Sequence, residues 1–294
     1  MIAGGSGFLG RKLARRLREA GHRVLTLTRR PATSDDAIQW SPDGSPGALS
    51  QRLEGVDAVV NLAGEGVADK RWTAARKEAI RKSRVLSTRT IVRAIAQCVR
   101  APRVLINASG VGYYGPHGDD VVTESTAPGS DFLARVCVEW EQEARAVESP
   151  QTRLAVVRSG LVLDRDGGAL AKMLLPFRLG LGATLGSGDQ YMPWIHVDDW
   201  TAMAGWLITN DRASGAFNAS APAPEINRTF TRTLGRVLGR PAILHAPAFV
   251  LQVALGELSS ALLTGQRALP ALAEQLGFRF TYRTLEPALR SLHL

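Results

Sequence analysis

A chain of 294 residues, 45% hydrophobic and 21% charged, has enough apolar matter for a sizeable core in one large or two medium domains, and too little charge for disorder. No run approaches the ~20 apolar residues of a membrane span, a secretory leader is not expected, and two cysteines, Cys98 and Cys137, supply neither a disulfide framework nor a metal cage. The net charge of +9 rests on arginine, since lysine stands only at 12, 70, 77, 82 and 172. Those arginines are scattered, as GC-rich coding leaves them, so a cytoplasmic protein is expected, without nucleic acid, membrane or metal as a partner.

Leu9, Leu13, Leu17 and Ala20 mark one face of a first helix, which Gly21 is placed to end. Strands are expected at Val24 to Leu27, Ile38 to Trp40 and Val56 to Leu62, followed by a long helix from about Thr73 to Val99. A strand at Val104 to Ala108, a helix at Asp131 to Val147 and a strand at Leu154 to Val157 continue the alternation. Beyond Gly160 the texture becomes loop-rich. Short strands are expected at Ile195 to Val197, Phe217 to Ala219 and Phe278 to Tyr282, among helices near 199–208, 225–238, 248–255, 270–276 and 285–292. The fold class is therefore α/β, a doubly wound parallel sheet with a smaller helix-rich C-terminal lobe. Residues 1–165 are expected to form the sheet domain, with strands from about 190–220 returning to it. Residues 166–294 are expected to form the lobe that covers a substrate.

Gly4, Gly7 and Gly10 form a G-x-x-G-x-x-G loop that opens the first helix. The first glycine permits a tight turn, the second lets a pyrophosphate reach the backbone, and the third allows close helix–strand packing. Gly4, Ser6, Gly7, Phe8 and Leu9 are thus expected to hold a dinucleotide in a Rossmann-type domain. A Walker-type phosphate loop is excluded, because Arg11-Lys12-Leu13 follows the last glycine. Where an acid would meet a ribose 2′-hydroxyl, the chain has Thr28-Arg29-Arg30. A guanidinium there pairs with a 2′-phosphate, so NADP(H) is expected over NAD(H). Only Met1, Ile2 and Ala3 precede the loop. The first strand is expected to reach about half the usual ~5 residues, and β-branched residues added before Met1 are expected to raise thermal stability without changing NADPH affinity.

These motifs, with Asn61-Leu62-Ala63-Gly64, Lys70-Arg71-Trp72, Ser83-Arg84, Ser109 to Gly115, Arg158-Ser159-Gly160, Pro176 to Gly182, Trp194 to Asp199 and Gly265 to Pro270, resemble the extended short-chain dehydrogenase/reductases. The likeness covers nearly the whole chain and is nearest to their atypical, epimerase-like branch with a C-terminal domain of unknown function, here at about 245–292. It implies that Leu62, Ala63 and Gly64 flank the adenosine side, that Glu78 and Arg84 contact the cofactor, and that Ser109 matches the catalytic serine or threonine. It also implies that Arg158 ends the strand beside the nicotinamide. The departure lies in the Tyr-x-x-x-Lys helix, where Leu133 and Cys137 occupy the two positions. Phe132 and Val136 do so in the neighbouring register. A loop tyrosine, Tyr113, could supply a proton beside Ser109, or wall the pocket. His196 is expected to pack, Asp199 to cap the following helix, and Cys137 to act as a small hydrophobe.

The expected function is an NADP(H)-dependent oxidoreductase or epimerase acting on a small hydroxyl- or carbonyl-bearing substrate. The alternative is a non-catalytic NADP(H)-binding sensor or scaffold. The oligomeric state is not legible.

Overall fold

Short apolar runs separated by amphipathic helices assemble into seven parallel strands. The computed structural model describes the chain apart from Thr33 and Glu148. The strands are β1 (Ile2–Ala3), β2 (Thr26–Thr28), β3 (Ala37–Gln39), β4 (Ala58–Asn61), β5 (Val104–Gly110), β6 (Arg153–Ser159) and β7 (Gly215–Ala219), in the order β7-β6-β5-β4-β1-β2-β3. All pairings are parallel, and β4 is buried along its whole length, as a strand covered on both faces must be. The order reverses at β1, so the crevice used for ligands in such sheets opens beside the glycine loop.

The helices that matter for the site are α1 (Phe8–Glu19), α2 (Ala74–Ile95), α3 (Phe132–Arg145), α4 (Gly168–Arg178), α5 (Val197–Thr209), α6 (Asn227–Leu238) and α7 (Ala248–Leu255). One sheet face buries Leu13 and Leu17 of α1 with Trp200 and Met203 of α5; the other buries Ile91 and Ile95 of α2 with Ala144 of α3. A separate core gathers Phe177, Trp194, Phe230 and Leu289 in the smaller lobe. Among the described residues no helix is long and apolar enough to cross a membrane.

β1 is two residues long, yet its ladder reaches Met1, whose carbonyl accepts from Val60 N–H at 2.9 Å. The α-amino group donates to Ala58 O at 2.7 Å; burial, outweighing Asp57, lowers its pKa to about 6. A cavity of about 270 Å³, bordered by Met1, Leu25, Val56 and Asp57, lies at this end of the sheet.

The C-terminal segment differs from the sequence reading. Phe278 to Tyr282 forms no strand; instead Thr281 and Tyr282 N–H donate to the Asp199 carboxylate, both at 2.8 Å. Two backbone donors satisfied by one buried side chain need no neighbouring strand. Asp199 is therefore not the cap of α5. His196 is the cap, its Nδ1 accepting from Asp198 N–H at 3.1 Å while its ring stacks on Tyr282. Further anchors are the parallel pairing of Arg267–Ala268 with Val121–Val122 and the Glu124 carboxylate, which accepts from Asn218 and Leu272 N–H. Trp194–His196 pairs with Leu161–Leu163 outside the main sheet.

Candidate functional site

β1 hands the chain to Gly4, which adopts φ +77° and lies so close to β4's exit that a Cβ would stand 2.7 Å from Leu62 O. At Gly10 a Cβ would fall 2.3 Å from Gly4 O, so α1 packs directly on the loop. Gly7 opens α1 without a side-chain cap, leaving first-turn N–H groups for an anion. Because β1 lies between β2 and β4, segments distant in sequence meet in one cleft of about 400 Å³. Gly4, Ser6 and Gly7 form its floor, Thr28 and Arg29 one side, and Leu62, Ala63 and Gly64 the other.

The far wall is held by a buried network. Asn61 Oδ1 accepts from Ala63 N–H at 3.2 Å, while Asn61 Nδ2 donates to Thr88 Oγ1 and Asn107 Oδ1 at 2.9 and 2.8 Å. Arg29 and Arg30 are exposed and form no ion pair among the described residues; Arg30 N–H donates to Thr28 Oγ1. Lys82 and Trp40 also line this cleft, and the sequence reading did not include them. Lys82 adjoins Ser83-Arg84, so that motif held the signal.

Other expected cofactor residues stand elsewhere. The Phe8 ring packs on Gly167, and Leu9 packs against the core. Glu78 pairs with Arg81 and Lys82 on the surface of α2 and does not line the cleft. Arg84 lies behind Gly64, donates to Glu65 O and Ile80 O, and stacks on Trp140 with its pKa lowered by burial. It braces the wall. Arg71 reaches across to Val253 O, while Trp72 lines a second cleft.

That second cleft, about 440 Å³, opens at the ends of β5 and β6. Val111, Gly112, Gly160 and Leu161 form its floor, and Phe132 and Leu133 of α3 form one wall, with Trp72 meeting Phe132 edge-on at 5.0 Å. Residues between Glu257 and Gln266 form a roof. Leu133 and Gly112 touch here: a Cβ on Gly112 would stand 3.3 Å from that of Leu133. Cys137, one turn on, is 8% exposed, and burial pushes its thiol up to about 11. This wall carries neither a phenol nor an ammonium group.

Polar chemistry lies one layer deeper. Ser109 Oγ donates to Glu141 Oε1 at 2.7 Å, and Arg158 donates to both Glu141 oxygens at 2.9 and 2.8 Å; the Arg158 and Glu141 side chains are each 2% exposed. Arg158 also covers the Tyr113 ring at 3.4 Å and donates to Tyr114 Oη at 3.0 Å, whose own proton goes to Asn218 Oδ1. Burial raises the Tyr114 pKa to about 12. Ser109, Tyr113 and Arg158 are thus brought together, but none of them lines the second cleft. The sequence reading gave Glu141 no role, although a signal existed. Val136, Cys137, Trp140 and Ala144 place Glu141 on the buried face of α3, where a carboxylate requires a partner.

Comparisons with known proteins agree with this architecture. The NAD dependent epimerase/dehydratase family matches residues 1–220, and a domain of unknown function (DUF1731) matches residues 246–292. The epimerase family protein Mb2239 of Mycobacterium bovis is 41% identical over 292 residues, covering 98% of this chain and 95% of its own. The structure of human epimerase family protein SDR39U1 (isoform 2) with NADPH superposes with a TM-score of 0.92 at 34% identity, covering 99% of this chain and 97% of that one. A nucleoside-diphosphate sugar epimerase from Corynebacterium glutamicum gives 0.81 at 32% identity, covering 99% of this chain and 57% of that one. This chain belongs to the NAD dependent epimerase/dehydratase family.

Proposed function

We propose that the chain is an NADP(H)-dependent oxidoreductase or epimerase acting on a small hydroxyl- or carbonyl-bearing compound. One observation carries the reading. A glycine loop with no room for a Cβ at Gly4 or Gly10 shares its cleft with Arg29, an exposed guanidinium without an ion pair among the described residues. Bare backbone and an open helix turn suit a pyrophosphate, and a guanidinium suits a 2′-phosphate. The NADPH-bound human relative supports the same choice.

When bound, the cofactor supplies hydride chemistry. The chain's residues bind, orient and exclude water. Leu62 to Gly64, held by Asn61, flank the adenosine side, and the ends of β5 and β6 border the reactive ring. Residues 1–165 with α5 and β7 form the cofactor-binding unit, and the remainder of 166–294 covers the substrate. Ser109, its proton given to Glu141, is left to accept a hydrogen bond and acts by positioning. Tyr191 is the one tyrosine among the described residues that lines the second cleft, and it is the phenol at hand for proton exchange there. The absent Tyr/Lys pair also favours a second reading, a binding-only protein.

The test is single-turnover oxidation of protein-bound NADPH, followed by its fluorescence, against sugar nucleotides, ketones and quinones. Oxidation dependent on one class is expected. Tight NADPH binding with no oxidation across the panel would favour the binding-only protein.

A further inference from the structure

We propose that the second cleft takes an uncharged, largely apolar, ring-sized compound and rejects nucleotide diphosphate sugars. The inference rests on the cofactor reading above and adds the substrate class to it.

Three observations carry it. First, one side of the cleft is apolar, with Trp72, Phe132, Leu133, Leu161 and Met192, while Gln190, Asn227 and Gln266 add uncharged polar groups, and its size suits one small molecule. Second, no lysine or arginine lines it, whereas two carboxylates do, those of Asp131 and Glu257. Third, the nearby cations have contacts within the chain, and Lys77 and Arg76 are paired with carboxylates. Lys77 Nζ donates to both oxygens of Glu257 at 2.8 Å, Arg71 to Val253 O, and Arg76 to Glu65, while Arg267 lies over the Tyr191 ring. A pyrophosphate would have to give up water without gaining a lysine or arginine from the cleft lining, and would do so beside Asp131, which caps α3, and Glu257, which already holds Lys77. Both effects oppose its entry. An aromatic or alicyclic ring loses nothing polar and gains edge and face contacts with Trp72 and Phe132. Much of the roof is the segment from Glu257 to Gln266, which lies within the match to the domain of unknown function; that domain thereby helps set the substrate class.

The test is calorimetric titration of the NADPH-loaded protein with 2-naphthol, 2-naphthyl phosphate and UDP-glucose. The first two share the naphthyl ring and differ by a phosphoryl group, which adds negative charge and bulk. We expect 2-naphthol to bind, the phosphate to bind about tenfold or more weakly, and UDP-glucose to give no heat. Ala261→Trp, at an exposed rim position, fills the cleft and is expected to weaken 2-naphthol by about tenfold while NADPH binding persists. Glu257→Gln releases Lys77 and is expected to raise the affinity for naphthyl phosphate relative to naphthol several-fold.

UDP-glucose or naphthyl phosphate binding as tightly as 2-naphthol to the wild-type chain would overturn the proposal. Naphthol affinity unmoved by Ala261→Trp, or absent while NADPH is bound, would also overturn it. Failure to bind NADPH is scored separately, as failure of the cofactor reading.

Discussion

The glycine-loop cleft and the cleft at the ends of β5 and β6 lie on the same edge of one sheet, yet they are built by different means. The first is made of backbone: glycines without room for a Cβ, an uncapped helix turn, and a loop held by Asn61, with Arg29 and Lys82 as basic side chains in its lining. The second is made of side chains, apolar in front and ionic behind, with Phe132 and Leu133 facing the space, Cys137 buried one turn on, and Ser109, Glu141 and Arg158 locked underneath. A backbone cradle tolerates sequence drift provided its glycines stay, whereas a side-chain wall can be rebuilt residue by residue. This contrast accounts for one half following the family's pattern while the other departs from it.

The contrast breaks most visibly at its ionic floor. Glu141→Ala leaves the Arg158 guanidinium buried and unpaired, and a loss of about 3–5 kcal/mol is expected in chemical denaturation. The double change Glu141→Leu with Arg158→Met should recover most of it, since paired removal leaves no orphan charge. A loss below about 1 kcal/mol in the single variant would mean that water reaches the pair.

Turnover separates the front wall from the layer behind it. With any substrate found, Ser109→Ala is expected to lower the rate by up to ~10², the scale of lost positioning, while Cys137→Ala stays within roughly tenfold of wild type. An inactive Cys137→Ala that still folds and binds NADPH would assign the thiol a part that its raised pKa argues against.

The cofactor half should outlast loosening of the strand that carries it. The Met1 α-amino group has its pKa lowered from 8.0 to about 6 by burial. Between those values the unfolded chain binds more protons than the folded one. The stabilisation is therefore complete above pH 8 and is lost as pH falls towards 6, by up to about 2.7 kcal/mol for a two-unit shift. Thermal melts across that window test the sign. Three or four β-branched residues added before Met1 move the charge out of the sheet and should flatten the dependence and raise the melting temperature. NADPH affinity should stay unchanged. A lower melting temperature would mean that neighbouring side chains already use the cavity beside Met1.

The alternation of strands and helices, and the glycine loop that shares a cleft with Thr28 and Arg29, were legible because each is local: a period, a spacing, an adjacency. So was the placing of Leu133 and Cys137 on one helix, which needs only that helix to be read. What escaped depends on long-range meetings. Asp199 takes its partners 82 and 83 residues away, so a carboxylate ahead of a helix passes for a cap. Glu141 and Arg158 are 17 residues apart on different elements, and neither chain segment names the other. Lys82 joined the first cleft through the same topology that brought β2 and β4 to the sides of β1.

The central claim is that the backbone cradle and Arg29 together select a 2′-phosphorylated dinucleotide. It is tested most directly by titrating NADPH and NADH in parallel into the wild-type chain and Arg29→Ala. The wild type should prefer NADPH. Arg29→Ala should weaken NADPH by a few-fold to about a hundredfold, the scale of ~1–3 kcal/mol for a charge-assisted hydrogen bond, and leave NADH nearly unchanged. Equal losses for both cofactors, or a wild type that binds NADH as tightly as NADPH, would contradict the account.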